Sequence, residues 1–279
     1  ITTFLAIGTL IFAKHPALRS IASVSVLGIF TALVITFVFY PTIFKFFIFR
    51  RPQKGLSPVS LRLLLHSIVS LSYYALSSVI LSNVGWVLAT IFPPSKHWLR
   101  RLSSVLAATV LFSNWRKRVE NRQLLNTDTA SVVIANHTSW LDTLALELYS
   151  HRLSYVVNDW VYRSVIFGRY LRAMGAYPAS EGIEKGMPLL QRHLQEGISV
   201  VIFPEGKRSE SNRIHRFHQG AFYIADTLQK PIVPVYIHGT SEVLPKGDFI
   251  IYDGAVTIVA AEPIAPDDTR FGTTPREKA

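Results

Sequence analysis

In the run Asn136-His137-Thr138-Ser139-Trp140-Leu141-Asp142 an imidazole stands five residues before a carboxylate. That is the raw material of a general base held by an acid: the carboxylate fixes the ring tautomer and stabilises the imidazolium formed when the other nitrogen takes a proton. A helix advances about 100° per residue, so this spacing does not put both groups on one face of a regular helix. They meet only if His137 precedes a helix and folds back over its first turn, with an N-cap at Thr138 or Ser139. Asp142 has a second, plainer use, since Ser139 followed three residues later by an acid reads as a capping box. The free amides of such a helix start can also assist a developing oxyanion.

The second chemical string is Phe203-Pro204-Glu205-Gly206-Lys207-Arg208-Ser209. Pro204 and Gly206 shape a turn after an apolar run, Glu205 is placed to hold acceptor hydroxyls, and Lys207 with Arg208 to grip a phosphate. Taken singly, such a string is most often a solvated polar turn.

Positioning these groups takes strands that end where the motifs begin. Short apolar runs at Ser131–Ala135, Leu153–Val157, Ala176–Ala179, Ser199–Phe203, Ile232–His238 and Val256–Ala261 read as strands. Helical patterns fill Trp140–Tyr149, Trp160–Met174, Glu184–Glu196 and Phe217–Leu228. This alternation predicts an α/β domain with a mostly parallel sheet flanked by helices. The second motif then sits at a strand's carboxyl end, where α/β folds place ligands.

Upstream, residues 1 to 119 hold thirteen Lys or Arg and no acid, whereas the remainder has sixteen basic and eighteen acidic residues. The basic residues punctuate apolar runs, which points to anionic lipid headgroups and away from nucleic acid, because no aromatic stacking motif accompanies them. Between Arg19 and Lys45 lie twenty-five residues without a charge, enough to cross a bilayer, with Pro41 ending or kinking the helix. Lys45, Arg50, Arg51 and Lys54 then mark the cytoplasmic side. Leu63 to Ser95 reads as a second span or as a shallow hairpin, interrupted by Asn83, Gly85 and Pro93-Pro94. Lys96 to Val119 fits an interfacial amphipathic helix with Arg100, Arg101 and Arg116-Lys117-Arg118 at headgroup level. Trp86, Trp98 and Trp115 read as interface anchors, and His66, His97, His151 and His193 as interfacial or surface residues. The expected division is 1–55 transmembrane helices, 56–125 membrane-inserted and interfacial helices, 126–270 the α/β domain, and 271–279 a linker or tail. The chain starts inside an apolar run without Met and reads as part of a longer polypeptide.

The absence of Cys excludes a thiolate nucleophile and Cys-ligated zinc. His215, His218 and His238 follow no known zinc spacing, so no metal is expected.

The order N-H-x4-D, F-P-E-G-x-R-S and a V-P-V strand at Val233-Pro234-Val235 resembles the lysophospholipid acyltransferase family, also called 1-acyl-glycerol-3-phosphate acyltransferases. The similarity runs from about Ser131 to Ala265 and includes Arg216-Phe217-His218-Gln219-Gly220-Ala221-Phe222. The resemblance implies a glycerolipid-acyltransferase-like fold, His137 as general base supported by Asp142, and glycerol-phosphate contacts at Glu205, Gly206 and Arg208. It implies acyl-CoA or acyl-carrier protein as co-substrate, no further cofactor, and a lysophospholipid-like acceptor at the bilayer. Where the family often shows G-x-x-P-V-D-R, this chain has Gly175-Ala176-Tyr177-Pro178-Ala179-Ser180-Glu181, which removes an arginine used on acceptor phosphate. The first fifty residues, especially Phe12 to Ser20, resemble the last spans of an RND-superfamily lipid exporter.

Together these features suggest acyl transfer onto a hydroxyl at a membrane surface, on the cytoplasmic face. Two rivals stand beside it. Ser139 as a nucleophile would make a hydrolase or ping-pong transferase, though no G-x-S-x-G elbow surrounds it. A non-enzymatic, regulatory tail of an exporter is the other.

Overall fold

A computed structural model of the chain describes residues 2–45, 50–53, 55, 58–111, 115–121, 124, 130–209 and 213–279. Two compact units emerge, Ile1–Leu61 and Arg62–Ala279. The region expected as a separate membrane segment, 56–125, thus falls almost wholly with the α/β part. Lys54, Phe112 and the Asn126 boundary lie outside the described residues.

In the first unit a short helix α1 (Thr2–Thr9) leads to α2 (Pro16–Phe44). Pro16 opens α2 at a position that needs no amide donor. Pro41 does not end the helix. The backbone widens to a π-turn over Ile35–Phe39 just ahead of it, which absorbs the missing N–H and the ring's bulk. At 29 residues α2 is long and apolar enough to cross a membrane.

The second unit starts with α3 (Leu61–Ile91), 31 residues long and also apolar enough to cross. A π-turn at Leu81–Gly85 carries the helix past Asn83 and Gly85, and it ends at Ile91, ahead of the Pro93-Pro94 pair. Its buried serines face protein: the Ser67 hydroxyl accepts from Ile251 N at 2.9 Å and that of Ser82 from Tyr170 N at 3.3 Å. Helix α4 (Ser95–Leu111) follows. The expected continuous helix to Val119 is corrected here, because Trp115–Glu120 forms the edge strand β1 instead. Arg100, expected at headgroup level, turns inward and donates to Leu153 O and Met174 O, both at 2.6 Å. Its guanidinium fork suits two carbonyls at once.

Strands β2 (Val132–Ala135), β3 (Leu153–Val157), β4 (Tyr177–Pro178), β5 (Ser199–Ile202), β6 (Ile232–His238) and β7 (Gly254–Ala260) complete a seven-stranded sheet, ordered β1-β7-β6-β2-β5-β3-β4. All neighbours are parallel except β6 and β7. Helix α5 (Leu141–Tyr149) covers one face, while α8 (Ile183–Gln195) and α9 (Gly220–Thr227) cover the other. The expected helix over 160–174 divides into α6 (Asp159–Tyr162) and α7 (Gly168–Ala173). Central β2 shows why the runs read as continuously apolar. Val133 and Ala135 enter one core and Val132 and Ile134 the other, as alternation demands of a strand buried on both faces. His193 is also corrected: it is buried, its ring packs where a Cβ on Gly175 would sit, and burial lowers its pKa to about 4.

Candidate active site

The two chemical strings leave neighbouring parallel strands. β2 lies between β5 and β6, so the loops after Ala135, Ile202 and His238 converge at one edge of the sheet. That edge is the ligand-binding side of open α/β sheets. Buried Asn136 fastens the first loop there. Its amide donates to Ile237 O at 2.8 Å and its carbonyl accepts from Ile237 N at 2.7 Å.

Asp142 is fully buried and accepts four hydrogen bonds. Oδ2 receives the amides of Thr138 at 2.6 Å and Ser139 at 2.8 Å, with His137 Nδ1 at 2.9 Å. Oδ1 receives the Thr240 hydroxyl at 2.5 Å. An acceptor-only carboxylate requires a proton on Nδ1, which leaves the Nε2 lone pair directed away from the acid. The ring stacks on Phe203, with centroids 4.2 Å apart and 21° between planes. It keeps 19% exposure and lines a cavity. The carboxylate's bonds to the Thr138 and Ser139 amides hold the turn just ahead of α5, so Asp142 steadies that turn and orients His137 through the same oxygen. The free amides of the helix start were expected to assist an oxyanion; those of Thr138 and Ser139, just ahead of α5, are taken by this carboxylate.

The second string holds the first. Glu205 is buried; its Oε1 accepts from His137 N at 2.9 Å and its Oε2 from His215 N at 3.1 Å. Ser209 N donates to His137 O at 2.7 Å, and the Ser209 hydroxyl donates to Arg213 O at 3.2 Å. Glu205 was expected to hold acceptor hydroxyls, and Ser209 closes the same string as a candidate substrate contact; both clamp the histidine's backbone, and neither is among the residues that line the cavity. Gly206, Lys207 and Arg208 do line it. Gly206 has φ +69°, and a side chain there would press on the His218 ring. The Arg208 guanidinium lies 5.0 Å from the Trp140 ring centroid, and its Nη1 is buried without a partner among the described residues. Burial lowers its pKa, an effect partly opposed by Asp142. Lys246, also on the wall, donates to Arg208 O at 3.0 Å.

Ser139 is placed poorly for nucleophilic attack. It is fully buried, its hydroxyl donates to Leu244 O at 2.8 Å, and it is not on the cavity wall. Of the three histidines weighed for metal, His218 reaches the cavity, His215 does not, and His238 ends β6. No group of three or more His, Asp or Glu among the described residues is arranged to hold an ion.

The cavity, of about 710 Å³, is lined by both cationic and apolar side chains. Lys207, Arg208 and Lys246 line it together with His137, and Leu106, Leu144, Phe167 and Leu171 are among its apolar residues. Thr240 and Lys246 were not anticipated from sequence. A glycine directly after a strand was the available signal for Thr240. Gly239 has φ +88°, and a Cβ there would sit 1.9 Å from Ala255 O, so only glycine makes the turn that delivers the Thr240 hydroxyl.

A mostly parallel sheet thus presents a paired His and Asp on the wall of a cavity lined by cationic and apolar side chains. Residues 116–238 match the Acyltransferase family model. The chain is 26% identical over 197 residues to the chloroplastic 1-acyl-sn-glycerol-3-phosphate acyltransferase LPAT1 of Arabidopsis thaliana, covering 67% of this chain and 54% of that one. It is 27% identical over 160 residues to a 1-acyl-sn-glycerol-3-phosphate acyltransferase of Bacillus subtilis, covering 54% and 75%. The chain spans about half the length of the plant relatives it matches. Its fold is that of the crystal structure of PlsC, the 1-acyl-sn-glycerophosphate acyltransferase from Thermotoga maritima, with a TM-score of 0.63 at 20% identity over 78% of this chain and 92% of that one.

Proposed function

We propose that this chain moves a fatty acyl group from acyl-CoA or acyl-carrier protein to a hydroxyl of a lysophospholipid-like acceptor at a membrane surface. The observation that carries this reading is a histidine with one nitrogen locked to a buried acid and its ring on the wall of a cavity lined by both cationic and apolar side chains. His137 Nε2 takes the acceptor's proton as its oxygen attacks the thioester carbonyl. The carbon–sulfur bond then breaks, and the thiolate leaves with the proton carried by the imidazolium. No acyl-enzyme is needed. Asp142 favours the charged ring in between. Acceptor phosphate is read by Arg208, with Lys207 and Lys246 on the same cavity. Glu181, which stands where the family often has arginine, is not among the residues that line this cavity.

The likeness to the named relatives and the fold support this assignment. Incubating membranes containing the full chain with labelled acyl-CoA, or labelled acyl-carrier protein, and lysophospholipids should move label into one lipid. No transfer with either carrier would leave the regulatory-tail reading standing.

The apolar helices α2 and α3 and the basic residues after α2 support membrane attachment with the α/β unit on the cytoplasmic face; we read α1 and α2 as the exporter-like portion. The Cys-free chain makes orientation testable. A Thr269→Cys variant should resist an impermeant maleimide in intact cells and react after lysis. Labelling in intact cells would reverse the orientation.

A further inference from the structure

A pocket that receives only hydrocarbon has no use for ionisable groups at depth, because each one costs free energy unless it is hydrogen-bonded. This cavity follows one face of α5: Trp140, Thr143, Leu144 and Glu147 all line it, at i, i+3, i+4 and i+7. Seven residues of helical rise place Glu147 about 10 Å along α5 from Trp140. Around the carboxyl, Ser103 Oγ lies 3.3 Å from Oε2 while also bonding Arg100 O at 2.8 Å, and the Tyr155 hydroxyl, which bonds Thr143 O at 3.4 Å, is within reach as well. Tyr74 and Tyr170 line the same cavity, the Tyr170 hydroxyl bonding Leu99 O at 3.4 Å. Arg100 does not neutralise the acid by direct bonding, since its guanidinium serves two backbone carbonyls. Burial lifts the Glu147 carboxyl to about 7, and burial together with Glu147 pushes the Tyr155 hydroxyl well up. Holding α4 against α5 does not require this side chain. The Ser104 hydroxyl already bonds Glu147's backbone carbonyl, and Arg100 secures α4 to β3.

We propose that Glu147, Ser103 and Tyr155 form a recognition site for a hydroxyl carried part-way along the acyl chain, so that the preferred donor is a hydroxylated fatty acyl thioester. This rests on the acyl-transfer reading above. With its thioester at His137, an acyl chain entering along α5 passes the Glu147 carboxyl before it reaches the far wall. A hydroxyl at that depth donates to the carboxyl oxygen, or accepts its proton, and takes a further bond from Tyr155. A methylene in the same place leaves these groups facing hydrocarbon, and sites built to bond a substrate hydroxyl reject analogues that lack it.

The test uses membranes containing the full chain and hexadecanoyl thioesters on both CoA and acyl-carrier protein. The donors are the plain chain and a series hydroxylated at successive carbons. One positional isomer is expected to exceed the plain chain in kcat/KM by about 10- to 100-fold. Glu147→Leu should bring that ratio to one or below, and Tyr155→Phe should reduce it independently; a purely structural role would lower both rates and leave the ratio unchanged. Equal kcat/KM for the plain donor and every isomer, or a ratio untouched by both variants, would overturn the proposal. Transfer from the plain donor alone would retain the acyltransferase reading and refute this site, whereas no transfer from any donor would refute both.

Discussion

Replacing His137 with alanine is expected to lower acyl transfer by about 10²- to 10⁴-fold, the range that general-base catalysis supplies. The fold should survive the change. His137 is held through its backbone, by Glu205 at the amide and Ser209 at the carbonyl, and alanine keeps both bonds. Asp142 retains three of its four donors, those from Thr138, Ser139 and Thr240. Membrane association and thermal unfolding in detergent should therefore match the parent chain, with the loss confined to turnover of a labelled thioester donor. Near-normal turnover in the variant would show that another group takes the acceptor's proton.

Asp142 separates its two duties under two substitutions. Asparagine keeps the volume and can leave one oxygen toward the Thr138 and Ser139 amides and the ring, with its NH₂ turned to the Thr240 hydroxyl, which can rotate to accept. It removes the negative charge that favours the imidazolium. Asp142→Asn is expected to fold and to lose about 10²- to 10⁴-fold in kcat. Alanine instead leaves two buried backbone amides unpaired, at about 1–3 kcal/mol each, and loosens the turn ahead of α5. Asp142→Ala should unfold many degrees lower and lose activity for that reason. Thermal scans beside kinetics distinguish the cases, and an asparagine variant with undiminished turnover would reduce Asp142 to a brace for that turn.

The sheet was legible because strands covered on both faces are apolar without interruption, as in Val132-Val133-Ile134-Ala135. The His137–Asp142 pair was legible because its spacing is local and its geometry follows from a helix start. What escaped was set by contacts distant in sequence. Glu205 looked like a ligand-binding acid, but the chain returns 68 residues later to place it under His137's amide. Thr240 reaches Asp142 across 98 residues, through a glycine turn whose necessity appears only once Ala255 stands beside it. Trp115–Glu120 carries three consecutive basic residues that suited a membrane-surface helix, and only its pairing with β7 makes it a strand. Arg100 shared that basic pattern, yet the carbonyls it serves lie 53 and 74 residues away.

The inner wall of the cavity belongs to two different layers of the molecule. Tyr74, Ser77 and Leu81 come from α3 and Ser103 and Leu106 from α4, while the sheet and α5 furnish other lining residues. A trimmed version that begins at the sheet would carry the histidine and its acid intact but open the slot along its length to water. Any graft of this chemistry onto another scaffold must therefore bring the helical hairpin with it.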